Sequence, residues 1–259
     1  MALVPPPTKP SAGPWPRLPD QLRLEAGEVH ILCASLELSE PRLRGVAGTL
    51  SPEELDRAAR FHARRDKDRF IARRGLLREL LGQQVRAAPG RLVFSSGPFG
   101  KPALATPAGD RLLHFSAAHS DTLAAFAISH GAELGVDIER VRELPDLPGL
   151  ISTICSDREQ LEWERVPEDQ RLRAFFNIWT RKEAFLKGIG LGLSKPPREI
   201  EVPWHSCEPD QSLPVSDQAR QFPGWSLRSL PLRDFALALA LRHPPTAVRC
   251  WQWNPEPQR

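Results

Sequence analysis

Tyrosine is absent from this chain of 259 residues, methionine occurs once, and no apolar run approaches the ~18 residues that cross a bilayer. The missing span argues against a membrane protein. The missing tyrosine, together with only six lysines among 35 basic residues, reflects compositional bias more than function. Cysteine is scarce too: Cys33, Cys155, Cys207 and Cys250 lie at least 43 residues apart, which leaves no paired ligand spacing. A zinc knuckle, a redox C-x-x-C and a disulfide framework are therefore poor readings, and a reducing cytoplasm is the expected setting. The first twenty residues lack the apolar stretch of a signal peptide and carry seven prolines instead.

What is present describes a globular chain. At 41% hydrophobic and 26% charged, it is long enough to bury a core without disulfide staples, as one large or two small domains. The basic residues are unevenly placed. From Arg57 to Arg91 eleven Lys/Arg stand against three Asp/Glu, a balance of +8 where the whole chain is +3. Such a patch suits phosphate-bearing ligands or acidic partners, although a solvated helix face writes the same pattern.

Proline density in residues 1–20 predicts a flexible leader. Val29 to Leu38 reads as a first strand. Ser51-Pro52-Glu53-Glu54 is a helix start, with a serine cap, proline at the first position and acids facing the dipole. Helix is expected from Leu55 to Leu81 with a break near Arg65-Asp66. Short strands follow at Arg91–Ser95, Leu112–Ala117, Thr122–Ser129 and Leu134–Glu139. Helical pattern returns from Leu147 to Gly188, then strands at Glu199–Val202, Trp225–Leu230, Asp234–Leu241 and Val248–Trp251. This order predicts an α+β fold of two halves, 21–130 and 131–259, without a sequence repeat.

Three places carry chemistry. In Gly135-Val136-Asp137-Ile138-Glu139 the alternation of a strand puts Asp137 and Glu139 on one face, a hard oxygen pair suited to Mg²⁺. A half-buried strand with a polar outer face would look alike. In Phe176 to Lys187 (FNIWTRKEAFLK), helical spacing puts Trp179, Glu183 and Lys187 on one side, with Lys182 beside them. An exposed ion pair worth a few tenths of a kcal/mol is the plainer reading of Glu183 and Lys187. In Leu113 to Asp121 (LHFSAAHSD), preceded by Phe99-Gly100-Lys101-Pro102, His119 follows a strand among small residues where a phosphate could approach.

Taken together, in this order and spacing, these segments resemble the 4′-phosphopantetheinyl transferases of the surfactin type. The resemblance covers roughly Ser51 to Leu193. It rests on GVDIE (Gly135–Glu139) and on a W-x-x-K-E-A-x-x-K signature at Trp179, Lys182, Glu183, Ala184 and Lys187. The RFHARRDKDRFIARRGLLREL stretch, the FGKP turn and FSAAHS also match. The W/KEA form points to the subgroup that serves polyketide and nonribosomal peptide carriers.

The resemblance implies an α+β fold of two pseudo-twofold-related halves, each a small antiparallel sheet on a long helix, with the active site in the cleft between them. It implies a cytoplasmic monomer that moves the phosphopantetheine arm of coenzyme A to a serine of an apo acyl or peptidyl carrier protein. Adenosine 3′,5′-bisphosphate is then released. Mg²⁺ would be held by Asp137, Glu139 and Glu183. Glu183 would act as base, with Glu159 the other candidate; its Ser156-x-x-Glu159 context is also an ordinary capping box. Lys187 would steady the leaving phosphate and Lys182 the pyrophosphate. Arg57, Arg69, Arg74 and His119 would grip the 3′-phosphate, and Lys101 and Pro102 would lie against the adenine. Three positions depart from the family pattern: Ser116 for the usual asparagine, Ala118 for a serine, and Glu54 for a lysine. Losing the hydroxyl at position 118 removes a phosphate hydrogen bond worth about 1–3 kcal/mol, which implies either weaker coenzyme A binding or compensation by an extra arginine. Two other classes share parts of this pattern, a Mg²⁺-dependent nuclease and a nucleic-acid-binding module using residues 57–91. The first lacks the lysine its pattern requires after Glu139, and the transferase reading already employs the arginines of the second. Neither nucleic acid nor membrane is an expected partner.

Overall fold

Strand β1 (Glu28–Ser35) shows in eight residues how the layers are arranged. Leu32 and Ala34 enter an apolar cluster shared with helices, while Val29, Ile31 and Cys33 enter another shared with a second sheet. The computed structural model describes residues 15–97, 99–105, 112–203, 213–217 and 221–254.

The first sheet joins β1 to β4 (Leu113–Ser120), β5 (Leu123–His130) and β11 (Ala247–Trp253), in the order β11-β1-β5-β4. Against its outer face pack α1 (Glu40–Ala47), α2 (Pro52–Ala59) and the long α3 (Arg64–Val85). A short hairpin of β2 (Phe94–Ser96) and β3 (Pro102–Leu104) carries the FGKP turn. The second sheet has the order β6-β10-β9-β8-β7, from β6 (Leu134–Arg140), β7 (Ile200–Glu201), β8 (Leu213–Asp217), β9 (Gln221–Leu232) and β10 (Phe235–Arg242). Its outer face packs on α4 (Leu147–Ile154) and α6 (Glu168–Ile189), with α5 (Asp157–Trp163) between them in sequence. The layers thus run helix, sheet, sheet, helix. The fold is mixed α+β, as expected, and among the described residues no helix is long and apolar enough to cross a membrane.

Local sequence explains several boundaries. The Ser51 side chain accepts from the Glu54 N–H while the Glu54 carboxylate accepts from the Ser51 N–H, a complete capping box that starts α2. The helical stretch breaks earlier than expected, because Ala63 is extended and α3 begins at Arg64. Helix α1 and strands β3 and β8 are additional to the elements read from the sequence.

Two expectations are corrected. The leader was expected to be flexible through Asp20, yet its final residues run along β11. Leu18 N–H donates to Gln252 O at 2.9 Å, Gln252 N–H donates to Pro16 O at 2.8 Å, and Trp15 packs on the core between the sheets. Proline bars a residue from donating but leaves its carbonyl able to accept, so the segment can edge a sheet. Residues 1–14 lie outside the described residues. The other correction concerns the half that was to span 131–259: β11 leaves it and pairs in parallel with β1.

Candidate active site

The site forms where β6 meets α6. A Cβ at Gly135 would lie 2.1 Å from the Ala184 carbonyl oxygen and 2.4 Å from the Gly188 nitrogen, so only glycine lets strand and helix backbones touch there. That contact brings Asp137, two residues along β6, to the α6 side chains flanking Ala184 and Gly188. Asp137 is 3% exposed. Its Oδ1 accepts from Lys187 Nζ at 2.5 Å, and its Oδ2 is buried with no hydrogen-bond partner among the described residues. Burial pushes the Asp137 carboxyl up to about 7; Lys187 pulls it down, while the charges of Glu139 and Glu183 push it further up. Glu183 is raised by burial in the same way, with Lys187 opposing and Glu139 adding, and its Oε1 is also buried without a partner.

Glu139 sits on the same face of β6 as Asp137, and its Oε2 accepts from the Ser120 hydroxyl at 2.7 Å. The three expected carboxylates are thus brought into mutual electrostatic contact across a strand and a helix. Among the described residues no three His, Cys, Asp or Glu side chains gather into a ready-made ligand cage, and Lys187 occupies one oxygen of Asp137. The donor chemistry nonetheless fits a hard divalent cation, because two buried carboxylate oxygens lack any hydrogen-bond donor.

Facing these acids is a set of cations. Arg69 pairs with Asp121 at 3.1 Å and with Glu37 at 3.5 Å, and its Nε is buried without a partner among the described residues. Arg73 Nε is buried without a partner as well; burial lowers this guanidinium to about 10, and Arg74 and Arg57 add to the effect. Arg57 and Arg73 both lie over the Phe70 ring, at 5.5 and 5.8 Å. His119 projects from β4 toward this group. Loss of water around its ring, followed by the charges of Arg73, Lys187 and Arg69, holds it down at about 4, so it is neutral at pH 7.

Other expected residues are employed elsewhere. Lys182 is fully buried, and its Nζ donates to Glu159 Oε2 (2.6 Å) and to the carbonyls of Ile154, Pro197 and Ile200. An ammonium with four acceptors is not available to a pyrophosphate, which corrects the contact expected of it. Glu159 is saturated likewise, accepting from Ser156 N–H, Val202 N–H and Lys182. Arg74 is tied to Glu54 and stacks on Phe94 at 4.1 Å. Its Nε edge is thus committed to an acid, as Arg69 is to Asp121 and Glu37. The same Glu54 meets Arg78, which is 2% exposed, at 2.7 Å. This accounts for an acid standing where a lysine is usual: it neutralises two arginines. Lys101 Nζ donates to Gly188 O at 2.6 Å and Leu134 O at 3.2 Å, so its ammonium anchors the FGKP turn, leaving the side-chain stem and Pro102 partly exposed.

The sequence pattern of the 4′-phosphopantetheinyl transferase superfamily matches residues 133–240. The 4′-phosphopantetheinyl transferase HetI of Nostoc sp. is 34% identical over 242 residues, spanning 93% of this chain and 96% of that protein. The chain belongs to the 4′-phosphopantetheinyl transferase superfamily. The transferase Sfp of Bacillus subtilis is 26% identical over 156 residues, covering 60% of this chain and 67% of that protein. The transferase gsp of Aneurinibacillus migulanus is 27% identical over 151 residues, covering 58% and 60%.

In this transferase the departures at positions 116 and 118 turn out to be structural. Ser116 Oγ accepts from the Val136 N–H at 3.1 Å and so ties β4 to β6. Ala118 is 3% exposed within the apolar layer between the sheets, on the opposite face of β4 from His119. A hydroxyl there would face that layer and not the arginines, so the expected loss of coenzyme A affinity has no structural basis. Two residues escaped the sequence reading of the transferase. Arg73 is adjacent to Arg74 in a basic run, and nothing local marks which of the two has a partner. Ser120 follows His119 in sequence, and nothing local signals that its hydroxyl reaches Glu139.

Proposed function

We propose that this transferase moves the 4′-phosphopantetheine arm of coenzyme A to a serine of an apo acyl or peptidyl carrier domain of the polyketide or nonribosomal peptide kind, releasing adenosine 3′,5′-bisphosphate. The observation that carries the reading is the pair of buried carboxylate oxygens without donors, Asp137 Oδ2 and Glu183 Oε1, facing a cationic cluster from the other half. Asp137, Glu139 and Glu183 would hold Mg²⁺, which when bound neutralises charge on the pyrophosphate oxygens.

The chain's own residues account for the remainder. Glu183, whose proton affinity is raised by burial, takes the proton of the carrier serine. Lys187, one-third exposed, exchanges its contact with Asp137 for the departing phosphate oxygen. Arg69, Arg73 and Arg57 grip the 3′-phosphate, and neutral His119 adds a ring N–H. Lys101 fixes the FGKP turn so that Pro102 and the lysine stem can lie against the adenine. Positioning and charge neutralisation supply most of the catalysis in such a transfer.

The monomer is built of two similar halves. In support, α3 and α6 are both 22-residue helices laid on a sheet, and both end in a left-handed residue, Arg86 (φ 53) and Gly190 (φ 76). Neutralisation of Arg74 and Arg78 by Glu54 weakens the case for a nucleic-acid surface, since the basic run is not a continuous field of free charge.

Mass spectrometry of apo carrier domains incubated with the protein, coenzyme A and Mg²⁺ tests this. A gain of about 340 Da on one serine is expected for in-line transfer of the arm. No gain on any carrier of a panel from polyketide, peptide and fatty-acid systems would overturn the reading.

A further inference from the structure

The three site carboxylates are held in three different ways. Asp137 is engaged by Lys187, Glu183 Oε1 has no hydrogen-bond partner among the described residues, and Glu139 is engaged by a hydroxyl from the other half, that of Ser120. Ser120 ends β4, and its Oγ lies 2.7 Å from Glu139 Oε2. The same oxygen accepts the Arg140 N–H at 3.1 Å. With a lone pair committed to that N–H, the hydroxyl proton is directed to the carboxylate, and Glu139 keeps Oε1 for a ligand.

The next residue pins the turn. Asp121 takes a left-handed conformation (φ 50), in the region that aspartate and asparagine tolerate better than most side chains. Its carboxylate bridges Arg69 of α3, at 3.1 Å, and the Arg140 guanidinium of β6. The β4–β5 turn is therefore fastened both to the helix that presents the arginines and to the strand that presents the acids.

We propose that Ser120 is a positioning residue for the metal site: its hydroxyl orients the Glu139 carboxylate toward the bound cation, from a turn that Asp121 locks in place. The proposal rests on the cation reading given above. A hydrogen-bonded outer partner of this kind typically changes metal affinity by about 10- to 100-fold when removed.

The test uses Mn²⁺ as the probe, with free Mn²⁺ followed by electron paramagnetic resonance in titrations of the full chain. Ser120→Ala should weaken Mn²⁺ binding by about tenfold or more, and Ser120→Thr, which keeps the hydroxyl, should restore it. In a Glu139→Gln background, Ser120→Ala should have no further effect on Mn²⁺ affinity. The thermal midpoint of each variant, measured in parallel without metal, separates this role from a purely structural one. Wild-type affinity in Ser120→Ala, or an equal loss with and without Glu139, overturns the proposal. If the wild-type chain itself shows no saturable Mn²⁺ binding, the cation reading fails and takes this proposal with it.

Discussion

Helix α6 carries two lysines five residues apart, each hydrogen-bonded to a buried carboxylate, and the two pairs differ in completeness. Lys182 and Glu159 leave nothing unsatisfied: the ammonium meets four oxygens, and the carboxylate meets two backbone N–H groups besides. Lys187 and Asp137 share one short bond, the lysine is one-third exposed, and Asp137 Oδ2 has no donor among the described residues. A saturated pair ties α6 to the β7 region. An unsaturated one has capacity left for a ligand, and that separates scaffold from site more sharply than charge does.

Removing each lysine in turn should break the comparison open. Lys182→Met strands a buried carboxylate and should cost about 3–5 kcal/mol in urea unfolding. Lys187→Met should cost less stability than that, because Asp137, already pushed up to about 7, can take a proton in place of the lost ammonium, and it should lower carrier loading by roughly 10²- to 10³-fold, the scale of lost charge stabilisation at a phosphoryl centre. If the two variants behave alike in both measurements, the distinction is void.

Titration sharpens the same contrast. Asp137 stands at about 7 in the fold, above the ~3.9 of an unfolded aspartate, so the native state holds its proton more tightly. Its contribution to stability is fully present below about pH 4 and is lost as pH rises through about 7. Without metal, wild type should therefore lose on the order of a few kcal/mol more than Asp137→Asn across that window, as read by unfolding at each pH. Cation binding needs the ionised form and should tighten over the same range.

The smallest effect separates the two neighbouring arginines of α3. Arg73→Met should weaken coenzyme A by about 1–3 kcal/mol and blunt its preference over 3′-dephospho-coenzyme A. Arg74→Met should blunt that preference less, because Glu54 already engages its Nε. Calorimetry with both ligands decides between them.

The parts legible in sequence were those dictated by local chemistry. Alternation in GVDIE places Asp137 and Glu139 on one face, helical spacing aligns Trp179, Glu183 and Lys187, and Ser51 to Glu54 spells out a capping box. The illegible parts depended on distant partners. Which lysine or arginine is saturated is decided by Glu159 and Glu54, 23 and 20 residues away in the chain. Helix α1 was missed because two glycines, Gly45 and Gly48, interrupt its pattern at one end. Strand β11 was read as a strand but its sheet could not be, since pairing with β1 is a long-range choice.

That pairing has a consequence for how the protein is made. Glu28 and Arg249 are 221 residues apart in sequence, yet they are joined by a salt bridge on adjacent strands. During synthesis β1 must wait, with one edge bare, until β11 leaves the ribosome. The first half therefore completes its sheet only after the second has been made, and a chain released before β11 exposes an open edge where neighbouring nascent chains can dock.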